Sequence, residues 1–476
     1  MKCHIRASNG GRLGLAFGLL CWLSACAAVG PDYAPPATPT PAAWNTPLQS
    51  GLQDGAAADP DLATWWQVFD DPVLTALVEK AAAANLDAAQ ARFRVREARA
   101  RRGLREAELY PAADGSGAAS RGHSGGRETR LYSIGFDAGW EIDIFGGVRR
   151  DIEAAEGDLA AAEAGLADVM VSLAAEMGRN YMEARTLQRR LQVARANMQV
   201  QVETYNLTRS RYAAGLGDAL DVHRAFSNLE ATRSQIPSLE DSLAATFNRL
   251  AVLAGETPGV LDGLLTEVRP LPVVPPAVTV AIPAATLSRR PDVRQAERRL
   301  AAQTARIGVA EADLYPRLRL AGSFGLSAAN TNDLADWASR AWSLGPSLSW
   351  PIFDAGAIRR NIQVQTAVQE QALAAYEAAV LGALEDVENA LSAYVQEQVR
   401  CVHLAEAVGA AEEAEILARR KYEAGLSDFS DVLDAQRSLL NYQDQLAAGR
   451  GAVVANLIAL YKALGGGWAL APAAGA

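Results

Sequence analysis

Two hydrophobic periods run along this chain, and each occurs twice. Residues 131–145 alternate: Tyr132, Ile134, Phe136, Ala138, Trp140, Ile142 and Ile144 share one face, and Ser133, Gly135, Asp137, Gly139, Glu141 and Asp143 the other. The alternation returns in residues 317–326, with Leu318, Leu320, Phe324 and Leu326 set against Arg317, Arg319, Ser323 and Gly325. It returns again with Trp342, Leu344, Leu348 and Trp350 against Ser343, Gly345, Ser347 and Ser349. A weaker counterpart near 112–121 is mostly Ala, Gly and Ser. A period of two reads as strands with one apolar face, and predicts strand hairpins over 112–145 and 317–351.

The second period is helical. Leu166, Met170, Leu173 and Met177 step 4-3-4, and Val380, Leu384, Val387, Leu391 and Tyr394 step 4-3-4-3. No proline occurs between Pro111 and Pro237, or between Pro351 and Pro472. Residues 357–423 therefore read as one helix of about 67 residues, roughly 100 Å at 1.5 Å per residue. Heptad spacing over such a length implies coiled-coil packing. Gly215 and Gly425 follow the long helices as left-handed caps, and Asp218 and Asp428 take N-cap positions for the helices that return. Long helical hairpins are predicted over 147–254 and 356–464.

The two blocks are copies of one another. Glu106-Ala107-Glu108-Leu109-Tyr110-Pro111 recurs as Glu311-Ala312-Asp313-Leu314-Tyr315-Pro316 at an offset of 205. Arg211-Tyr212-Ala213-Ala214-Gly215-Leu216-Gly217-Asp218 recurs as Lys421-Tyr422-Glu423-Ala424-Gly425-Leu426-Ser427-Asp428 at an offset of 210. Trp140, Gly146, Arg149 and Arg150 match Trp350, Gly356, Arg359 and Arg360 at the same 210, so a loop lengthens between the Tyr-Pro and the Trp. Proline clusters in 31–60 and 258–291 mark an extended arm and a link between the copies. The organisation predicted is a signal peptide over 1–25, a Pro-rich arm over 26–70, a first repeat over 71–265, a linker and second repeat over 266–470, and a tail over 471–476.

Composition narrows the class. The 476 residues carry 45 Lys and Arg against 55 Asp and Glu, a net −10, and half are hydrophobic. That excludes a disordered chain, and it leaves no positive excess for a nucleic-acid partner. Four Cys and four His are scattered without metal-ligand spacing. No run of about 20 apolar residues follows residue 26. Entry into a membrane would have to be by strands or by a lipid.

The N-terminus supplies an address. Lys2, Arg6 and Arg12 precede the apolar run Leu13–Trp22, which ends Leu23-Ser24-Ala25-Cys26. This is a secretory signal peptide, and small residues before a Cys resemble the bacterial lipobox, in which the Cys becomes a lipidated N-terminus. Multiple acyl chains on Cys26 would anchor it; the bland reading is ordinary cleavage near Ala27. Loss of the three signal-peptide bases leaves 42 basic residues against 55 acids, a net −13, and leaves Cys401 as the one unlipidated thiol.

Enzymatic signals are weak. Gly122-His123-Ser124-Gly125-Gly126 matches a nucleophile pattern, but that motif needs a strand-to-helix turn, and here it falls between two predicted strands. His223 and His403 have no second ligand at helical spacing.

The strands fit a soluble sandwich with one buried face, or a membrane barrel with lipid outside and a polar lumen. The export signal and the Trp and Tyr near strand ends favour the barrel. Four strands cannot close one, since about eight is the minimum, and lipid tolerates no open edge. A dimer would give about 8 strands and little bore, and a trimer about 12 with an open one.

Several blocks carry a family resemblance. They are Val29-Gly30-Pro31-Asp32-Tyr33, Trp65-Trp66, Phe69-Asp70-Asp71-Pro72 and Arg233-Ser234-Gln235-Ile236-Pro237. To these add Arg289-Arg290-Pro291-Asp292-Val293 and Val432-Leu433-Asp434-Ala435-Gln436-Arg437. With these, essentially the whole mature chain resembles TolC-family outer-membrane efflux lipoproteins. The resemblance implies an α+β membrane protein: a homotrimer whose 12-stranded outer-membrane β-barrel takes four strands per chain. A long α-helical coiled-coil barrel continues it into the periplasm. It implies a passive exit duct for drugs or other small molecules in a tripartite system. Its partners would be a periplasmic adaptor, an inner-membrane RND-type transporter and outer-membrane lipid, with no enzyme activity and no cofactor beyond lipid on Cys26. A duct for secreted polypeptides and a poreless coiled-coil lipoprotein are the alternatives.

The resemblance also places a periplasmic gate. Gly215 and Gly425 would mark the hairpin tips that meet the adaptor. Asp431 and Asp434, three apart on one helix face, match constriction carboxylates. Tyr422 and Asp221 match a hydrogen-bonded pair that holds the hairpins closed, and Arg437 is placed to pair with a carboxylate across chains. The first repeat has Arg224 and Ser227 where the second has Asp434 and Arg437. Ordinary capping and surface acids would also look like this.

Overall fold

Each predicted period becomes a defined element in the computed structural model, which describes residues 28–37, 40–55 and 60–467. In chain order these are β1 (Leu52–Asp54), α1 (Pro72–Ala84), α2 (Leu86–Ala107), β2 (Ala112–Ser124) and β3 (Arg127–Ile142). Then come α3 (Gly147–Ala213), α4 (Ala219–Leu253), α5 (Asp262–Leu265), β4 (Val278–Val280) and α6 (Pro283–Arg289). The chain ends with α7 (Pro291–Ala312), β5 (Arg317–Ala328), β6 (Arg340–Ser349), α8 (Ala357–Glu423) and α9 (Phe429–Ala463). Three helix pairs keep their length between the copies: α2 and α7 have 22 residues each, α3 and α8 have 67, and α4 and α9 have 35.

The residues fall into two compact units. One comprises the chain through Ala37 with Phe93–Glu163 and Gln295–Ala378, and contains the strands β2, β3, β5 and β6. These form one antiparallel sheet in the order β2-β3-β5-β6. Register aligns the apolar sets: Phe136 faces Phe324, which faces Trp342, and Ile142 faces Leu318, which faces Leu348. That face is bare, with Phe136 68%, Trp342 75% and Leu344 70% exposed. The weak strand β2 keeps the same polarity. Ala113, Gly115, Gly117 and Ala119 lie on the apolar side, and Asp114, Ser116 and Ser120 on the polar side. Its small residues sit beside larger ones on β3; a Cβ at Gly115 would touch the Phe136 ring at 3.7 Å. The first hairpin turns through Gly125 and Gly126, both at positive φ (60° and 77°), as a two-residue turn between twisted strands requires. The second turns through residues 329–339, where the lengthened loop lies.

The arm resembling the family start is pinned in this unit. Val29 N–H donates to Phe145 O at 3.0 Å. Arg150, 5% exposed, donates to Val29 O, Gly30 O and the Asp32 carboxylate at 3.0, 3.2 and 2.7 Å. Gly30 has φ 93°, and a Cβ there would lie 2.4 Å from Gly308 Cα, so backbone packs on backbone. Tyr33 Oη donates to Glu297 at 3.2 Å; burial, then the Glu297 charge, raise its pKa.

The other unit comprises Thr38–Arg92, Ala164–Arg294 and the chain from Ala379 onward. The heptad positions Met170, Leu173, Met177, Val387, Leu391 and Tyr394 join Trp65, Trp66, Leu74, Leu457 and Ile458 in one buried core, with Leu166 packed against it. Asp71 caps α1 by accepting from Val73 N and Leu74 N, and Tyr181 Oη donates to its second oxygen at 2.6 Å. Burial and that hydrogen bond push the Tyr181 pKa up to about 12. The two proline-rich segments, read from sequence as an arm and a link, pair with each other: β1 and β4 run parallel, Leu52 opposite Val278. Three-residue strands amid proline carry no alternation to read. Pro237 lies within the unbroken helix α4; it and Arg233 are exposed, so water can take the Arg233 carbonyl that loses its donor.

The Arg-Arg-Pro-Asp block works here. Arg290, 8% exposed, donates to Asp292 Oδ2 at 2.7 Å, Asp386 Oδ2 at 2.8 Å and the Ala463 carbonyl at 3.0 Å. One guanidinium thus ties α7 and α8 to the last turn of α9. Burial favours a neutral Asp292, but the Arg290 hydrogen bond and charge outweigh it and hold its pKa below the usual carboxylate value.

Candidate functional site at the helical hairpin tips

Both long helices end the same way. Gly215 and Gly425 have φ 71° and 75°. Gly215 N donates to Tyr212 O and Leu216 N to Arg211 O; Gly425 N donates to Tyr422 O and Leu426 N to Lys421 O, all at 2.8–3.0 Å. This pair of bonds satisfies carbonyls that a helix end leaves open, and it needs a left-handed residue at its centre. Asp218 then caps α4 by accepting from Leu220 N at 3.1 Å. Asp428 differs from expectation: it holds the N-cap position with extended backbone, but its side chain makes no cap bond.

A small core joins the tips: Ala225, Tyr422, Phe429, Val432 and Leu433 are buried together, with Tyr205 and Leu207 packed against them. Val432 and Leu433 of the Val-Leu-Asp-Ala-Gln-Arg block point inward, as does Gln436, which donates to Thr204 Oγ1 at 2.8 Å. Asp431, Asp434 and Arg437 point outward and are exposed. The two carboxylates make no hydrogen bond or ion pair among the described residues. Arg437 Nε donates to Asn228 Oδ1 at 3.0 Å, joining α9 to α4.

Tyr422 does not make the expected hydrogen bond to Asp221 among the described residues. Its ring packs on Phe429 with centroids 5.2 Å apart, and the Arg211 guanidinium lies over it, 4.7 Å from its centre. Arg211 also donates to the Glu423 carbonyl at 3.1 Å. Burial and then the Asp221 charge raise the Tyr422 pKa, while Arg211 lowers it. Asp221 is also raised, by burial, then by Asp218, with Asp428 adding to the effect and Arg224 opposing it. Packing and a cation on the ring therefore hold the tips. Arg211 was visible in the repeat, where Lys421 replaces it, but its role depends on a contact 211 residues along the chain.

The Gly-His-Ser-Gly-Gly block is a strand-to-strand turn. Among the described residues no cluster of His, Cys, Asp and Glu is suited to a metal ion, and no helix is long and apolar enough to cross a membrane. Cys26 lies outside the described residues.

The model of the family described as Outer membrane efflux protein matches residues 77–256 and 282–466. The chain belongs to this outer membrane efflux protein family. Nodulation protein T of Rhizobium leguminosarum bv. trifolii is 36% identical over 438 residues, covering 90% of this chain and 92% of the relative. The pyoverdine export outer membrane protein OpmQ of Pseudomonas putida is 33% identical over 441 residues, covering 90% and 92%. The solved outer-membrane channel OprN superposes with TM-score 0.87 at 38% identity, covering 92% of this chain and 99% of that one. An outer membrane efflux protein is a duct, not a member of an enzyme family, and its place is the outer membrane with extension into the periplasm. The TolC-family resemblance of the motifs is thereby established.

Proposed function

We propose that three copies of this chain close a 12-stranded barrel, four strands from each, and form the passive outer-membrane exit of a tripartite efflux pump. The observation that carries this reading is the pair of open edges, β2 and β6, on a sheet whose apolar face is bare. An edge cannot stay unpaired in lipid, so β6 of one copy pairs with β2 of the next. Twelve strands leave a bore that eight would fill with side chains.

The helices continue this duct into the periplasm. Asp431 and Asp434 of three α9 helices form carboxylate rings at its far end, and Tyr422, Arg211, Asp221 and Arg437 set how tightly the hairpins hold there. The tips at Gly215 and Gly425 meet a periplasmic adaptor, which couples the duct to an inner-membrane RND-type transporter. The name of OpmQ supports a small-molecule cargo over polypeptides. Cys26 carries the lipid; Val29, three residues on, is bonded at the foot of β3, which supports an anchor beside the barrel.

Native mass spectrometry in detergent tests the assembly. A particle of three mature chains with single-channel conductance is expected. A monomer that conducts would overturn the reading.

A further inference from the structure

The polar face of the sheet carries an arrangement that folding does not ask for. Asp114 on β2 and Asp137 on β3 are directly opposed in register. Like charges so placed destabilise an antiparallel pair, and no ion pair reaches either one among the described residues. Asp137 accepts only from Ser116 Oγ, at 3.1 Å. Four residues along β3, Glu141 is opposite Arg319 of β5. The Arg319 guanidinium lies across Gly139, between the two acids of β3; a Cβ at 139 would stand 3.0 Å from Nη2 and 3.5 Å from Nε. Glycine at 139 is what leaves room for that pose. Small residues around it, with Ser323 and Ser343 sharing a 2.8 Å hydrogen bond, leave a cavity of ≈ 340 Å³ that Asp114, Asp137 and Arg319 border.

We propose that Asp114, Asp137 and Glu141, balanced by Arg319, form a second charge filter at the level of the membrane, one that passes cationic solutes in preference to anionic ones. The proposal rests on the barrel reading above, which turns this face to the lumen. Each chain contributes Asp114, Asp137, Glu141 and Arg319 to the same short stretch of register, and Arg317, itself paired with Asp313, acts on Glu141 from the next position of the same face. Rings of carboxylates favour cations in a pore. The filter lies on strands, apart from the carboxylates of α9, and so acts whether the hairpin tips are closed or open. Arg319 sets its strength: held over Gly139, it offsets part of the negative field without pairing with Asp114 or Asp137.

The test is reversal potential in planar bilayers under a KCl gradient, with the full chain. Asp114→Asn with Asp137→Asn should lower the K⁺ to Cl⁻ permeability ratio. A change of about twofold or more is expected, the size for a unit charge acting across ~10 Å of water. Arg319→Gln should raise the ratio. Both shifts should shrink as salt rises from about 0.1 to 1 M and the screening length falls from about 10 to 3 Å, which a merely structural defect would not do. In a Cys401→Ser background, Asp137→Cys should react with a trimethylammonium thiol reagent from the aqueous phase, and Phe136→Cys should not. Reaction at 137 with unmoved selectivity in the charge variants would overturn the filter and leave the barrel standing. Reaction at 136 and none at 137 would overturn the orientation of the sheet, and the duct with it.

Discussion

The indole N–H of Trp140 donates to the carbonyl oxygen of Leu109 at 2.9 Å, and Trp350 donates to Leu314 at 3.0 Å in the second repeat. Each Trp at the foot of a strand thereby satisfies a carbonyl in the turn that ends the preceding helix. The ring is apolar and its N–H is polar, which suits a level where hydrocarbon meets water. Trp140→Phe keeps the ring and loses the bond; it should cost about 1 kcal/mol, and the more exposed Trp350→Phe less. Urea unfolding of the detergent-solubilised protein, followed through its sheet signal, reads both; equal or zero losses would remove the bond from the account.

Asp431 and Asp434 stand exposed on one face of α9, without an ion pair among the described residues. Asp431→Ala with Asp434→Ala should lower cation selectivity while trimers persist. Selectivity unchanged in the double variant would place the gate elsewhere.

Among the described residues Tyr422 is held by the Phe429 ring and the Arg211 guanidinium, with no hydrogen bond to Asp221. Tyr422→Phe should therefore leave resting conductance near its starting value. Tyr422→Ala and Arg211→Ala remove the ring or its cation, and should raise conductance and sensitise cells to large antibiotics. A large effect of Tyr422→Phe alone would restore a role for the hydroxyl.

Acid should act oppositely on the two units of charge in the helical region. The depressed pKa of Asp292 means its pairing with Arg290 stabilises above the ordinary aspartate value of about 3.9 and is lost as pH falls through the folded value. The raised pKa of Asp221 contributes stability below that ordinary value, lost as pH rises through the folded one. Hydrogen-exchange protection at residues 211–232, corrected for the intrinsic pH dependence of amide exchange, should rise between pH 7 and 4, and Asp221→Asn should flatten the response. Residues 283–293 should loosen only at lower pH, and Arg290→Met should cost about 1–2 kcal/mol by leaving the half-buried Asp292 carboxylate and the Ala463 carbonyl without their donor.

The run Leu23-Ser24-Ala25-Cys26 predicts acyl chains on Cys26. Mass spectrometry of the mature N-terminal peptide reads this directly; an unmodified terminus at Ala27 or beyond would refute it.

The sequence by itself determined the periods and the copies. Alternation in 131–145 and 317–350 and heptads around Met170 and Val387 depend only on which residues share a face, and a face is a local property of the backbone. The glycines at 215 and 425 are equally local, since a left-handed cap follows from the absence of a Cβ. Tertiary structure decided everything that joins distant segments. Arg290 reaches Asp386 and Ala463, Arg150 holds the arm at Asp32, and Arg211 covers Tyr422. Each is an exposed-type residue in the sequence, and only the converging backbones bring it to these partners. The same holds for β1 and β4, which pair through main-chain groups that every residue carries. It holds for Tyr422 too, whose ring meets Arg211 from the other repeat.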